Sequence, residues 1–598
     1  MPGLSLLFSK TGIEAQSAAG FESTLKEMHF FQGYRSEILY KGKNIIIGFS
    51  GYEGYPITRY EFDDLIIFFE GKIYNRSENE KSQILKSIAK TALQGDAARI
   101  PAALREKLVD LDGEFWFAAI DTTNQKFLIA NDSLGKLPLY YHESSNGLTI
   151  SREISFVRRL DDVHDFDRYG TAQFLMLHYP LGGRTIFSGI KKMPHASFMQ
   201  AEDTRTFSEP IRYHQWDIKT VHDKSSIEES AERLLFQAKD AVNGRNSLNI
   251  SEKSIIALSG GLDSRAVLGI LKAAGVGMLA ASSINYSRSN LFDVNIAEKV
   301  AAVQDVEFIR IQLENPKFGD LEKIAEIKPG LNNISMANAL GLYTNLLDRF
   351  PYGADFYTGD GGASMKTPYR SQGGIKSKDQ LLQQIFNTPA VFDDDEMKRL
   401  LGLGISDLVD DFEGEVSSYP PESWREKYLY YTVFDYLTNF GYEGEDRSRY
   451  FFWTQTPFEA IPFYINALRI PDRFKSGLKL MNRFLKLCDP ALLNVVYADY
   501  GAKPESSRIR TKLLVRRFMK RHPALLRRMR RVVFPRTYRP KPIEDHLLDY
   551  ALGSLRHAGF LSNIIDSDYL DKLLRRPISR SRFESLLSLI LACRKMHG

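Results

Sequence analysis

The stretch Ser254-Ile255-Ile256-Ala257-Leu258, running straight into Ser259-Gly260-Gly261-Leu262-Asp263-Ser264, constrains this chain more than any other. A compact apolar strand ends in a two-glycine turn, and a helical pattern resumes from Arg265 to Ala274. Met278 to Ser282 reads as a second strand, Asp293 to Val303 as a second helix and Glu307 to Ile311 as a third strand. Strand and helix alternating at short intervals imply a parallel α/β sheet. The glycines let the backbone turn tightly and present N–H groups to an anion. Ser259 and Ser264 add hydroxyl donors, and the next helix points its positive N-terminal end at the same spot. The result is a cradle for a pyrophosphate group. Asp263 would repel phosphates unless a cation lay between them, which assigns it to Mg²⁺. The Gly-Lys-Ser/Thr ending of a Walker loop is absent.

The rest of the chain divides around this segment. With 598 residues, two or more domains are expected. The first third is β-rich: Asn44–Phe49, Leu65–Phe69, Phe115–Ile120, Phe127–Asn131, Leu139–Tyr141 and Leu148–Ile150 are short apolar runs with turn residues between them. A helical pattern from Glu78 to Leu93 makes this part layered α+β. Ile227 to Val242 is an amphipathic helix, and from Gln380 onward the pattern is mostly helical. The boundaries read as residues 1–201 for the first domain, 202–226 for a linker and 227–598 for the second.

Composition excludes some classes. A content of 43% hydrophobic and 26% charged residues is that of an ordinary globular protein, and a net charge of +5 demands no polyanionic partner. A basic run between Arg508 and Lys541 is the local exception. Two cysteines, Cys488 and Cys593, allow neither a disulfide framework nor a cysteine-based metal site. The start of the chain has no basic n-region, and no apolar run approaches a membrane span. A cytoplasmic protein is the expectation.

Ser-Gly-Gly-Leu-Asp-Ser after a strand resembles the pyrophosphate loop of the N-type ATP pyrophosphatases. Tyr357-Thr358-Gly359-Asp360-Gly361-Gly362-Ala363-Ser364 looks like the Gly-acid-Gly-small-Asp-Glu loop of asparagine synthetases. The N-terminal third resembles the same family. Phe69-Glu70-Gly71-Lys72-Ile73-Tyr74-Asn75, Leu111-Asp112-Gly113-Glu114-Phe115, Asn131 to Tyr141 and Thr185 to Pro194 match its amidotransferase strands in turn. Asp446-Arg447 and Thr456-Pro457-Phe458 resemble a later segment more weakly. The resemblance implies an Ntn-hydrolase-like αββα sandwich, then a parallel α/β ATP-pyrophosphatase domain with a helical extension. It implies ATP and Mg²⁺, with Leu258, Ser259, Gly260, Gly261, Leu262, Asp263, Ser264, Ser282 and Gly359 around the nucleotide. Asp263 and Asp360 are the implied metal ligands. Asp360 also matches the acid that handles the nucleophile's proton, and a late lysine, Lys541 ahead of Lys503 and Lys512, would neutralise charge on the reacting ester.

Two departures shape the expected activity. Ala363 and Ser364 stand where the family has Asp and Glu. Pro2 stands where its amidotransferases carry a nucleophilic cysteine, and Glu70 replaces the Asn that faces the tetrahedral intermediate. Glutaminase activity is therefore not expected. The expected reaction is adenylation of a small-molecule, peptide or sugar-acid carboxylate, followed by attack of ammonia, from solution or a partner protein, or of an amine. Relatives without the cysteine include β-lactam and lasso-peptide macrolactam synthetases and enzymes that amidate sugar acids. A nucleotide-binding partner subunit and an RNA-adenylating enzyme are the readings from other classes. The sandwich argues against the second, so no nucleic-acid partner is expected.

Overall fold

Strand Gly113–Asp121 is buried along its whole length, and its alternate residues belong to different cores. Trp116, Ala118 and Ile120 face one core; Phe115, Phe117 and Ala119 face another. A period of two sends neighbouring side chains to opposite faces, so a strand apolar at every position must be covered twice. That requirement sets the architecture of the N-terminal part.

The computed structural model describes residues 2–94, 99–201, 206–221, 225–249, 252–371, 375–387, 391–521, 543–557 and 559–594. Its first strands in chain order are β1 (Gly3–Ser9), β2 (Tyr34–Lys41), β3 (Ile45–Tyr52), β4 (Ile57–Phe62), β5 (Leu65–Ile73) and β6 (Gly113–Asp121). After them come β7 (Lys126–Asn131), β8 (Tyr140–Ser144), β9 (Gly147–Ser151), β10 (Ile190–Lys192), β11 (Ser197–Gln200) and β12 (Ile211–Arg212). They form two antiparallel sheets, ordered β10-β8-β9-β1-β3-β2 and β12-β11-β7-β6-β5-β4. Phe8 of the first meets Phe127 of the second edge to face at 5.1 Å. Helices Glu78–Gln94 and Ile100–Leu108 cover the outer face of the second sheet, and Ala15–Glu27 with Ile154–Leu160 cover the first. The layers run helix, sheet, sheet, helix.

The second sheet continues past residue 201, where a linker was expected. β12 pairs with β11, and Tyr213 and Trp216 are buried. Tyr213 donates to the Asn131 carbonyl and Trp216 to the Ser133 carbonyl, so the segment after Phe207 is part of the packed layer.

The third sheet is parallel: β13 (Ser254–Ala257), β14 (Met278–Ile284), β15 (Phe308–Gln312), β16 (Asp355–Tyr357) and β17 (Trp453–Gln455), ordered β15-β14-β13-β16-β17. The chain runs outward from β13 to β15, then returns to β16 on the other side of β13. This reversal is a topological switch point, the place where open α/β sheets leave a crevice beyond their strand ends. Ahead of β13, helix Ile227–Asn246 begins at a reciprocal cap between Ser226 and Glu229. No helix among the described residues is long and apolar enough to cross a membrane.

Buried ion pairs join the sandwich to the parallel-sheet part. Arg152, at the end of β9, donates to Glu70 of β5 at 3.0 Å and to Asp446 at 2.5 Å. Lys328 bridges Asp446 and Glu443 at 2.6 and 2.8 Å, and Lys192 also reaches Glu443 at 2.8 Å. Arg245 pairs with Asp112 at 2.7 Å and approaches Glu114 at 3.9 Å, which within the sandwich is paired with Lys136 at 3.0 Å. Burial alone would push the Glu114 carboxyl up, but Lys136, Arg245 and Arg449 outweigh it and hold the group down to about 2. Removing one member of such a set strands its partners in a low dielectric. Arg152→Ala is expected to cost ~3–5 kcal/mol, read as a fall in thermal unfolding temperature. Adding Glu70→Gln should recover part of that loss, and full additivity would show that the two side chains do not act as a pair.

Candidate functional site

The turn 258–262 leaves the end of β13 and leads into helix Asp263–Ala273. Inside it, Ser264 Oγ accepts from the Ser259 N–H at 3.1 Å and lies 3.0 Å from Ser259 Oγ. The Gly261 N–H donates to Ser259 Oγ at 3.2 Å. Gly260 is in place because of close approach: a Cβ there would stand 2.7 Å from the Ala498 Cβ and 2.9 Å from Asp293 Oδ1. Arg265 staples the turn from below, donating to the carbonyls of Gly260, Leu492, Val495 and Val496. Leu258 and Leu262 are buried and anchor the two ends. Ser282, on β14, donates its hydroxyl to the Leu258 carbonyl, so it braces the junction of strand and turn.

The second glycine-rich loop leaves β16, the strand beside β13, and presses onto the same helix end. A Cβ on Gly359 would stand 2.5 Å from the Ser264 nitrogen, and one on Gly362 would stand 2.6 Å from Asp263 Oδ1. Gly361 has φ +78° and packs against Glu459 and Phe458. Side chains at these places would force the loops apart. The crevice between β13 and β16 is thus closed at its floor by backbone contact.

Asp360 is exposed at the tip of this loop and joins two cavities. One, of about 250 Å³, is lined by Asn332, Asn333, Tyr343, Asp360, Glu445 and Arg447 among others. The other, of about 180 Å³, is lined by Asp263, Asp360, Ala363, Ser364, Tyr436 and Tyr464 among others. A π-helix, Thr432–Gly441, supplies wall to both. Such wide turns are uncommon and concentrate at functional places.

Carboxylates crowd this junction. Asp360 accepts from the Thr358 hydroxyl at 2.7 Å; although the residue opens onto the cavities, the walls around it desolvate its carboxyl and raise it above the usual range, against the pull of Thr358 and Arg447. Glu459 is fully buried, and neither of its oxygens has a hydrogen-bond partner. Burial pushes it up to about 8, with Asp360 and Glu114 adding to the rise and Lys136 and Arg449 opposing it. Glu445 is raised by burial and by the negative charge of Glu459 and Asp360. Asp263 is raised by burial and by Asp360 and Asp499, against the attraction of Lys366.

Residues separated by about a hundred positions therefore converge: Ser259 to Ser264 with Gly359 and Asp360. Glu445, Glu459, Lys366 and Arg447 join them without having been singled out as site residues. The only signal for Glu459 was its place next to the Thr456-Pro457-Phe458 match. Lys541 lies outside the described residues. Lys503 lines a cavity with Lys486 and Glu505 that shares no residue with the two around Asp360. Lys512 donates to the Tyr500 carbonyl at 3.3 Å.

In the sandwich, the position where the family resemblance expects the Asn facing glutamine carries Glu70. Glu70 accepts from the Leu4 N–H at 2.8 Å, Tyr55 at 2.7 Å, Trp116 at 2.8 Å and Arg152 at 3.0 Å. Ser5 is tied to Ser151 at 2.8 Å, and Ser9 to the Gly12 carbonyl at 2.8 Å.

Comparison with known proteins bears on the sandwich. Residues 45–213 match the family described as a glutamine amidotransferase domain, so the chain carries a domain of that type. The match begins at β3, after the strand end where Glu70 meets Leu4. No curated protein matches the chain. Among solved structures, it is similar to a glutamine phosphoribosylpyrophosphate amidotransferase from B. subtilis complexed with ADP and GMP, at 10% identity over 55% of this chain and 92% of that one, with a TM-score of 0.25. It is also similar to an allosteric regulatory enzyme of purine biosynthesis, at 10% identity over 52% and 81% of the two chains, with a TM-score of 0.24.

Proposed function

We propose that this chain is an ATP-dependent amide-forming ligase that adenylates a substrate carboxylate and couples it to ammonia or an amine, without hydrolysing glutamine itself. The observation that carries the reading is the meeting of two glycine-rich loops, from adjacent strands β13 and β16, at one helix N-terminus in a switch-point crevice. The Ser259 and Ser264 hydroxyls and the helix dipole favour an anion there, although the Ser259 and Gly261 N–H groups are engaged within the turn.

In this reading the β and γ phosphates of ATP lie on Ser259 to Ser264, and the α phosphorus faces the junction at Asp360. A substrate carboxylate attacks it in line, pyrophosphate leaves, and an acyl-adenylate forms. The chain contributes positioning and charge neutralisation. The nitrogen nucleophile then attacks the acyl carbon and AMP leaves with its bonding electron pair. The nucleophile's proton passes to a carboxylate at the junction, where Asp360 and Glu459 both hold protons more tightly than ordinary acids. The two cavities on either side of Asp360 suit separate seats for nucleotide and substrate. Mg²⁺ on Asp263 and Asp360, expected from the resemblance, does not fit the side chains present. Asp263 Oδ2 is taken by the Lys366 ammonium, and Ala363 offers no carboxylate where the family has Asp. The departure at Ala363 favours a second reading, a nucleotide-binding partner subunit without turnover.

ATP–pyrophosphate exchange with a panel of carboxylates tests the choice. Gly359→Ala inserts a methyl group between the loops and is expected to lower exchange by about 100-fold, as a displacement of about 1 Å does. Exchange unaltered in a folded Gly359→Ala protein would overturn the proposed placement of the nucleotide, and no exchange with any carboxylate would favour the partner-subunit reading. A further expected outcome concerns nitrogen: ammonia or an amine supports product, whereas isotopically labelled glutamine releases no glutamate. Glutamate release would mean that the Glu70–Arg152 pair does not block the amidotransferase-type domain.

A further inference from the structure

The side chain that meets Asp263 is a lysine. Lys366 Nζ lies 2.5 Å from Asp263 Oδ2, and the two side chains are 20% and 24% exposed, so the pair is partly open to solvent, with Asp263 itself lining the cavity of about 180 Å³. Lys366 ends the short helix Ala363–Lys366, the turn where the family resemblance leads one to expect a metal-binding carboxylate and where this chain has Ala363. Asp263 Oδ1 is buried without a hydrogen-bond partner, packed against Gly362, where a Cβ would stand 2.6 Å from it.

We infer that Lys366 is a built-in cation of the nucleotide loop: its ammonium stands on Asp263 in place of a divalent ion and itself contacts the phosphates of ATP. This rests on the reading of Ser259 to Ser264 as the nucleotide seat. A carboxylate beside a phosphate cradle needs an intervening positive charge. Asp360 and Asp499 add negative charge nearby, and Lys366 is the cation that pulls against them. Mg²⁺ demands near-octahedral oxygen coordination, and of the two aspartates on this wall Asp263 already carries Lys366, while Ala363 and Ser364 add no carboxylate. An ammonium group needs no such cage. It is a compact point charge with three donors; one is used on Asp263, and two remain for phosphate oxygens. The bridge carboxylate–ammonium–phosphate reproduces the carboxylate–metal–phosphate order with one positive charge fewer and no ion to recruit.

Binding, instead of turnover, reads this out. ATP affinity is measured by calorimetry on the whole protein, in EDTA and again with Mg²⁺ in excess. The expected result is similar affinity in both, within about threefold, with Lys366→Met weakening binding in EDTA by about 10- to 100-fold, the worth of a lost charge-assisted contact. Lys366→Met combined with Ala363→Asp should bind again, now only with Mg²⁺. Wild-type binding that requires Mg²⁺ would overturn the inference and leave the proposed reaction standing. The same holds for a folded Lys366→Met protein that binds ATP normally in EDTA. Absence of ATP binding under both conditions would remove the nucleotide seat itself, and the proposed function with it.

Discussion

A charge placed inside a protein must be matched where it lies, and in this chain the matching partners come from different halves of the sequence. Arg152 stands between Glu70 of the sandwich and Asp446 of the helical region, and Lys328 and Lys192 continue the series through Glu443. Each group is costly to bury alone, so neither half can be drawn away without exposing charges of the other. The consequence reaches the site. Lys72 of β5 pairs with Asp355 at 3.2 Å, and Gln455 of β17 donates to the same carboxylate at 3.0 Å. Asp355 begins β16, whose other end carries Thr358 to Gly362. The amidotransferase-type domain thereby holds the base of the strand that presents the second loop, a positioning role that survives whatever became of its chemistry.

Given that frame, the junction at Asp360 depends on what its glycines leave out. Hydrogen in place of a side chain at Gly359 and Gly362 brings the β16 loop onto the first turn of helix Asp263–Ala273. Hydrogen at Gly260 does the same for the turn against Ala498 and Asp293. Backbone approaches of this kind bring the carboxylates of the two loops close together at the edge of the cavities. The raised carboxyls of Asp263, Asp360, Glu445 and Glu459 follow from that crowding, as does the pairing of Asp263 with Lys366.

The frame was legible wherever an apolar run was long enough to show its period. β5, β6, β7, β13 and β14 all lie on runs read from the sequence, as do helices Glu78–Gln94 and Ile227–Asn246. β16 and β17 span Asp355–Tyr357 and Trp453–Gln455, too short for any periodicity, and they take their strand form from pairing beside β13. The π-helix Thr432–Gly441 has the apolar and aromatic content of an ordinary helix, because its wider hydrogen-bond step leaves no mark in composition. The two glycine loops were legible as motifs, since a turn that needs missing side chains advertises it. Lys366 was not. A lysine closing a four-residue helix means nothing by itself, and its meaning comes from Asp263, a residue more than a hundred positions earlier in the chain. Glu459 was hidden for the same reason: burial is set by the fold, and an isolated glutamate in sequence reads as surface.

Glu459 is also where stability and the proposed chemistry pull in opposite directions. A fully buried carboxylate with two unpartnered oxygens costs the folded state free energy whenever it is ionised. Its proton affinity, raised to about 8, means that the folded protein keeps the proton which an unfolded chain would release at an ordinary carboxylate pH. The penalty is therefore small in acid and grows as pH climbs from the ordinary range through that value. An apolar side chain of the same volume would remove that cost. In the proposed reaction its role is proton transfer. An amine or ammonia attacking an acyl-adenylate becomes cationic as it bonds, and must pass a proton to a base before AMP can depart cleanly. A carboxylate whose proton affinity sits near neutrality is matched to that transfer, whereas an ordinary one would hold the proton too weakly. In the proposed reaction Asp360, which lines both cavities, is the base nearest the substrate, and Glu459 lies behind it against Gly361. The mutual repulsion that destabilises this cluster is then the same interaction that tunes it.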